Sequence, residues 1–399
     1  MTAAMLILAD GSVFRGELVG KPGTTTGEIV FNTGMTGYQE TITDPSYAGQ
    51  IITFTFPLIG IYGVNDEDDQ GRRICARGIV VSEYNPHMDN FRADRLLGDK
   101  LKTDGICGIS GVDTRYLTKL IRDAGEMKAI ITTELTEDEA KQALADAPEL
   151  TQEDVVSEVM LEEPYDWPPH GREVPVLAGV EPARFRVAVL DFGVKYGILD
   201  CLTERGCQVR AFPGTTALEE IVGFEPDGVV IPNGPGDPSR LSFAFETVRA
   251  LAERYPTFGI CKGHQLIALA YGLPTYKMKF GHRGENHPVR DLADGRAHIT
   301  SQNHSFAVKV PDEVVAELRE RGGEPMLAGR GLPLAKEPFA LPGSELIVDK
   351  VHINDGTVEG LHHVSRPCFS VQYHPEGRPG PEDNLYLFDR FVGMMESRD

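Results

Sequence analysis

The chain has 399 residues, a formal net charge of −21 and a pI near 5.0. That length exceeds the usual single core and implies two domains, and so acidic a balance argues against nucleic acid or an anionic membrane as a main partner. The six cysteines, Cys75, Cys107, Cys201, Cys207, Cys261 and Cys368, form no C-x-x-C pair, which suits reduced thiols in a cytoplasmic protein rather than a disulfide framework.

The opening residues 1–9 lack a basic leader and meet Asp10-Gly11 at once, so they read as a first strand and turn, not a signal peptide. No apolar run is long enough to cross a bilayer. Up to about residue 145 the chain is rich in Gly, Thr and short β-like runs, such as 28–31 and 50–56. Helices are expected over 113–122 and 136–147, the second opened by Thr136 with Glu139 three residues on. Residues 1–150 therefore read as an α+β domain. Between 151 and 185, Glu153, Asp154, Glu158, Glu162 and Glu163 precede Pro164, Pro168, Pro169, Pro175 and Pro182. Acidic, proline-rich sequence with little periodicity is expected to be a linker.

From residue 186 to 399 the pattern changes. Strands are expected over 187–190, 207–212, 228–231 and 255–260, alternating with helices over 198–205, 216–222, 242–254 and 265–270. Such alternation specifies an α/β domain: a mostly parallel open sheet with helices on both faces and a ligand site at the carboxyl ends of the strands.

Cys261 falls at such an end, in Phe258-Gly-Ile-Cys-Lys-Gly-His-Gln265. A thiol at a strand-to-helix corner faces the positive end of the helix dipole and free backbone N–H groups, which suit a nucleophile and a developing oxyanion. A nucleophile needs a base. The alternating run 368–374 ends at His374, and Pro375 sets the path to Glu376, so a base and its orienting acid are available. The rigid loop Pro232-Asn-Gly-Pro-Gly-Asp-Pro238 opens on the same sheet edge, where glycines let a ligand approach the backbone. His264 is expected to hydrogen-bond at the helix start. His282, His287, His362 and His363 show no zinc-like spacing with cysteine or carboxylate, so no metal site is expected.

The Cys261 elbow, Asn233-Gly-Pro-Gly-Asp-Pro238 and His374-Pro-Glu376 resemble the class I, triad-type glutamine amidotransferases over residues 186–399. Four further stretches look like the family of carbamoyl phosphate synthetase small subunits: 28–40, Thr43-Asp-Pro-Ser-Tyr47, Gly111-Val-Asp-Thr-Arg115 and Lys277-Met-Lys-Phe-Gly281. The resemblance implies a catalytic set of Cys261, His374 and Glu376, with an oxyanion hole from the backbone N–H groups of Gly236 and Lys262. It implies L-glutamine contacts at Ser46, Gly234, Gly236, Lys262, Gln265, Asn303, Ser305 and Phe306. It further implies ammonia transfer to a large subunit that uses bicarbonate, with ATP and Mg on that subunit and no cofactor in this chain; a higher heteromer would fit. The chain departs from the family at Lys262 in place of leucine, Ile61 in place of asparagine, Ser305 in place of glycine, and Tyr196-Gly-Ile-Leu-Asp200. Two other readings stay open: a scaffolding or regulatory subunit with impaired glutaminase, and another cysteine-dependent γ-glutamyl amidohydrolase.

Overall fold

The computed structural model describes residues 2–169, 172–320 and 333–397. The chain divides into two compact units, Met1–Val159 and Met160–Asp399.

In the first unit the short β-like runs close into a barrel. Its strands run in the order Ala3–Leu8, Val13–Gly20, Cys107–Ser110, Gly78–Val80, Gln50–Phe54, Thr24–Asn32 and Met127–Thr132, which returns to Ala3–Leu8. Alternating apolar residues fill its interior, with Leu6, Leu8, Ile29, Ile51, Ile109 and Ile131 in one buried cluster. The expected helices form as Thr114–Ala124 and Glu137–Asp146. The second carries the predicted capping box, with Thr136 and Glu139 each satisfying the other's backbone N–H. Ser46 lies here, in the single turn Pro45–Tyr47, where the Asp44 side chain accepts its N–H at 2.8 Å.

The second unit is built on one eleven-stranded sheet. Cys207–Pro213, Phe185–Asp191, Gly228–Ile231, Thr257–Ile260 and Cys368–Val371 are parallel neighbours in that order. These strands are almost wholly buried, so they read as continuous apolar runs. Helices Tyr196–Glu204, Leu218–Gly223, Phe245–Arg254 and Lys262–Ala270 connect them. Tyr165–Trp167, within the stretch read as linker, pairs antiparallel with Cys207–Pro213 and edges the sheet; residues 170 and 171 lie outside the described residues.

The parallel part is extended on its other side by antiparallel strands that the sequence pattern did not announce: Val358–His363, Leu346–His352, Thr275–Asp291 and Ala297–Val308. The last two form a long hairpin with register shifts between Lys277 and His282 and between Gly284 and His287. Each shift breaks the two-residue alternation by which a strand is recognised. The strand expected to reach His374 stops at Val371, and His374 joins the sheet only by a bridge to Ser301. The core under the site is aromatic. Phe258 stacks on Phe369 at 4.5 Å between centroids and meets Phe388 of helix Tyr386–Glu396 edge-on at 5.6 Å.

Candidate active site

Thr257–Ile260 is held by parallel neighbours on both sides, which fixes the point where it ends. At Cys261 the chain turns into helix Lys262–Ala270 with φ 54° and ψ −100°. A non-glycine residue in such a conformation costs on the order of 1–3 kcal/mol and persists only where its surroundings impose it. Here the flanking glycines impose it by close packing. A Cβ on Gly263 would sit 1.8 Å from the Ile231 carbonyl oxygen, and one on Gly259 would sit 2.8 Å from Ser370 Cβ. The Cys261 N–H donates to Val371 C=O at 2.8 Å and the Gly263 N–H to Pro232 C=O at 2.9 Å. The Lys262 N–H between them belongs to the first helical turn, which has no intrahelical acceptor for it. The Cys261 thiol, 2% exposed, points at the Asn303 carbonyl oxygen at 3.6 Å.

His374 is fixed on two sides, its N–H donating to Ser301 C=O at 2.8 Å and its Nδ1 lying 2.8 Å from Glu376 Oε1, and its buried Nε2 faces Cys261. Lys195 Nζ lies 2.7 Å from the same Glu376 oxygen. Its own backbone N–H is held by Asn233 Oδ1 at 3.0 Å. Burial opposes charge on every member, and the pairings overcome it. Burial pulls the His374 imidazole down, but Glu376 and the Cys261 thiol raise it against Lys195, to about 10. Burial pushes the Glu376 carboxyl up, but Lys195 and His374 hold it well below the usual carboxylate range. The imidazole is thus kept in a charged state beside the Cys261 sulfur, its Nδ1–H on Glu376 and its Nε2–H directed at that sulfur.

The other cysteines are not competitors. All six are free, and burial pushes Cys75, Cys201, Cys207 and Cys368 up to about 12 and Cys107 to about 11, which leaves them un-ionised.

Around the thiol the structure gathers most of the residues expected to contact substrate. Lys262 Nζ donates to Gly236 C=O and lies 6.0 Å from the Phe306 ring centroid. Gln265 Nε2 donates to Phe306 C=O at 2.8 Å and to Gln372 Oε1 at 3.1 Å. Gly234 packs on Phe192, and Gly236 takes φ 74° in the loop after Gly228–Ile231. Asn303 sits across from Arg283 in the hairpin. The Ser305 hydroxyl accepts from Arg283 Nη2, which ties this side chain into the hairpin. Ser46 belongs to the first unit. His264 uses Nδ1 on the Ser370 hydroxyl at 3.0 Å, an inter-element bond instead of the expected helix-start one, and burial pulls it down to about 3, which keeps it neutral.

Lys195 is the residue that sequence reasoning missed. It follows the buried strand Phe185–Asp191 on the same edge of the sheet as Cys261, but nothing local in Asp191-Phe-Gly-Val-Lys195 marks its pairing with Glu376.

A strained cysteine at a strand end, facing a carboxylate-oriented histidine across the edge of a parallel sheet, defines a cysteine-nucleophile site of the acyl-transfer class. Residues 188–329 and 336–394 match the family model for class-I glutamine amidotransferases. Residues 6–131 match the model for the carbamoyl-phosphate synthase small chain, CPSase domain. Over nearly the whole length the chain is similar to proteins described as carbamoyl phosphate synthase small chains. It is 43% identical over 396 residues to that of Syntrophotalea carbinolica, covering 98% of each chain. It is 45% identical to that of Akkermansia muciniphila, covering 98% of this chain and 97% of that one. It is 44% identical to that of Listeria monocytogenes, covering 100% of this chain and 98% of that one. The chain belongs to the carbamoyl phosphate synthase small chain family.

Proposed function

We propose that this chain is the glutamine-hydrolysing subunit of a carbamoyl phosphate synthase, and that Cys261 carries the γ-glutamyl group. The observation that carries the reading is the buried Cys261, His374, Glu376 and Lys195 constellation, in which a charged imidazole turns Nδ1 to Glu376 and Nε2 to Cys261. Cys261 Sγ, its proton already carried by His374 as the imidazolium, attacks the side-chain amide carbon of glutamine as the thiolate. The developing oxyanion is received by the backbone N–H groups of Gly236 and Lys262, a contribution of about 3–4 kcal/mol to the barrier where such donors have been removed. The C–N bond breaks, His374 gives its Nε2 proton to the departing nitrogen, and ammonia leaves a thioester on Cys261. Water then attacks the thioester carbon, His374 takes one of its protons, the C–S bond breaks to restore the thiolate beside the imidazolium, and the new carboxyl group of glutamate loses its proton to solvent. Glu376 keeps the imidazole oriented throughout, and Lys195 keeps Glu376 charged. These residues hydrolyse glutamine with no cofactor in this chain.

The family supports a large-subunit partner, to which ammonia passes for reaction with bicarbonate at the cost of ATP with Mg; the product serves arginine and pyrimidine synthesis. The cytoplasm suits six free thiols. Among the described residues no helix is long and apolar enough to cross a membrane. One observation favours a glutaminase slower than its relatives: the buried Lys262 ammonium is bonded to the very loop that supplies the Gly236 donor. The test is acid quenching during glutamine turnover followed by peptide mass analysis. A glutamyl adduct on the Cys261 peptide, absent from Cys261→Ala, supports the reading. Turnover by Cys261→Ala, or an adduct on another residue, would overturn it.

A further inference from the structure

Behind the strand that carries Asn303, the hairpin and its neighbour bring three histidines together. His282 and His287 lie on Thr275–Asp291, and His352 ends the antiparallel strand Leu346–His352, whose register places it opposite Val289. Asp355 follows in the turn. None of this follows from sequence spacing, because the ligands come from separate strands across a register shift.

We propose that His282, His287 and His352 form a binding site for a divalent transition-metal ion of the zinc class, oriented by Asp355. The candidate ligand atoms of the three lie within 4.8 Å of one another. His287 Nδ1 and His352 Nε2 are already 3.1 Å apart, against about 3.3 Å for two nitrogens on one tetrahedral zinc with bonds of about 2.0–2.1 Å. Two such nitrogens share at most one proton when neutral, so one lone pair faces the other ring. The His282 ring stacks on His352 at 4.1 Å and 20°, so it must turn about its Cβ–Cγ bond to complete the set.

The surroundings fit an ion. His282 is now held between two carboxylates, Asp355 Oδ2 at 2.8 Å from Nε2 and Glu359 Oε1 at 3.7 Å from Nδ1, so an ion must displace a proton from it and its turn gives up the Asp355 bond. His352 Nδ1 now accepts the Asn354 N–H at 3.2 Å and lies 3.4 Å from Asp355 Oδ1, so binding through Nε2 exchanges the first contact for the second. Glu359, which accepts from Gln302 Nε2 at 2.8 Å, can with Asp355 balance a double positive charge. His304, though adjacent, has both nitrogens engaged, by Phe306 C=O and Gln302 Oε1, each at 2.8 Å. Imidazole donors select zinc, nickel, copper or cobalt over magnesium or calcium. His287 is half-buried and the Asp355 side chain is 32% exposed, which gives an ion a path from solvent.

The test is titration of chelator-treated Cys261→Ser chain with Co²⁺, a background in which capture by the catalytic pair cannot count. One equivalent should give the intense visible absorption of four-coordinate cobalt without a thiolate band, be displaced by Zn²⁺, and raise the melting temperature. His352→Asn and His287→Gln should abolish it, and Asp355→Asn should weaken binding roughly 10–100-fold. Circular dichroism checks that each variant is folded, and if one is not, the other two decide. Absence of the cobalt spectrum, or a spectrum unchanged in folded His352→Asn, would overturn the proposal.

Discussion

At Lys262 an ammonium group is 2% exposed and bonded to a neutral carbonyl, that of Gly236. Burial lowers it from 10.5 to about 8, against the raising influence of Cys261 and Asp237. The direction sets the sign of a stability effect. Below pH 8 the group is charged in both folded and unfolded chain, and folding must desolvate it; above its unfolded value it is neutral in both and that cost is gone. Stability contributed at this position therefore rises with pH between about 8 and 10.5. A shift of this size corresponds to about 3 kcal/mol, and losing the bond to Gly236 takes back about 1. Lys262→Leu should thus stabilise the chain by about 2 kcal/mol in denaturant melts at pH 7, with the gain shrinking toward pH 10. It should also hydrolyse glutamine faster, because a second ammonium no longer stands beside the zwitterionic substrate. A variant less stable at pH 7, or no faster, would contradict this account of Lys262.

The elbow works as one element, strand, turn and helix start together. Gly263→Ala should push helix Lys262–Ala270 off Gly228–Ile231, since its Cβ would fall 1.8 Å from Ile231 O. We expect a loss of about 2–3 kcal/mol in denaturant melts and a fall in glutaminase rate at unchanged expression; a variant of native stability and rate would show that the close approach is not needed. This element was legible in the chain because its signals are local: a buried apolar run, a cysteine, a glycine on either side and a helix with an apolar face. The histidine and glutamate were legible for the same reason, lying two residues apart, although the strand before them ends at Val371 and a single bridge to Ser301 carries His374 the rest of the way. Lys195 was not, because a lysine in a loop reads as a solvated charge until a buried carboxylate distant in sequence is placed 2.7 Å away. Nor was the hairpin Thr275–Asp291 and Ala297–Val308, whose two register shifts and half-buried polar residues erase the alternation that marks a strand. The three-histidine cluster was hidden with it.

At the scale of the whole molecule, the second unit holds Cys261, His374 and most of the expected substrate contacts, while the first unit carries the small-chain domain and Ser46. A chain of net charge −21 needs a partner surface of complementary charge for rapid docking, and the association should weaken with salt if that steering matters. The central claim is that glutamine enters through Cys261 and leaves as ammonia for a partner's use. It is tested most directly by carbamoyl phosphate synthesis in the reconstituted pair of this chain and its large subunit, supplied with bicarbonate, ATP and either glutamine or ammonia. The wild-type pair should use both nitrogen sources, and the Cys261→Ala pair should lose glutamine-dependent synthesis while keeping the ammonia-dependent rate. Glutamine-dependent synthesis surviving in Cys261→Ala would contradict the account.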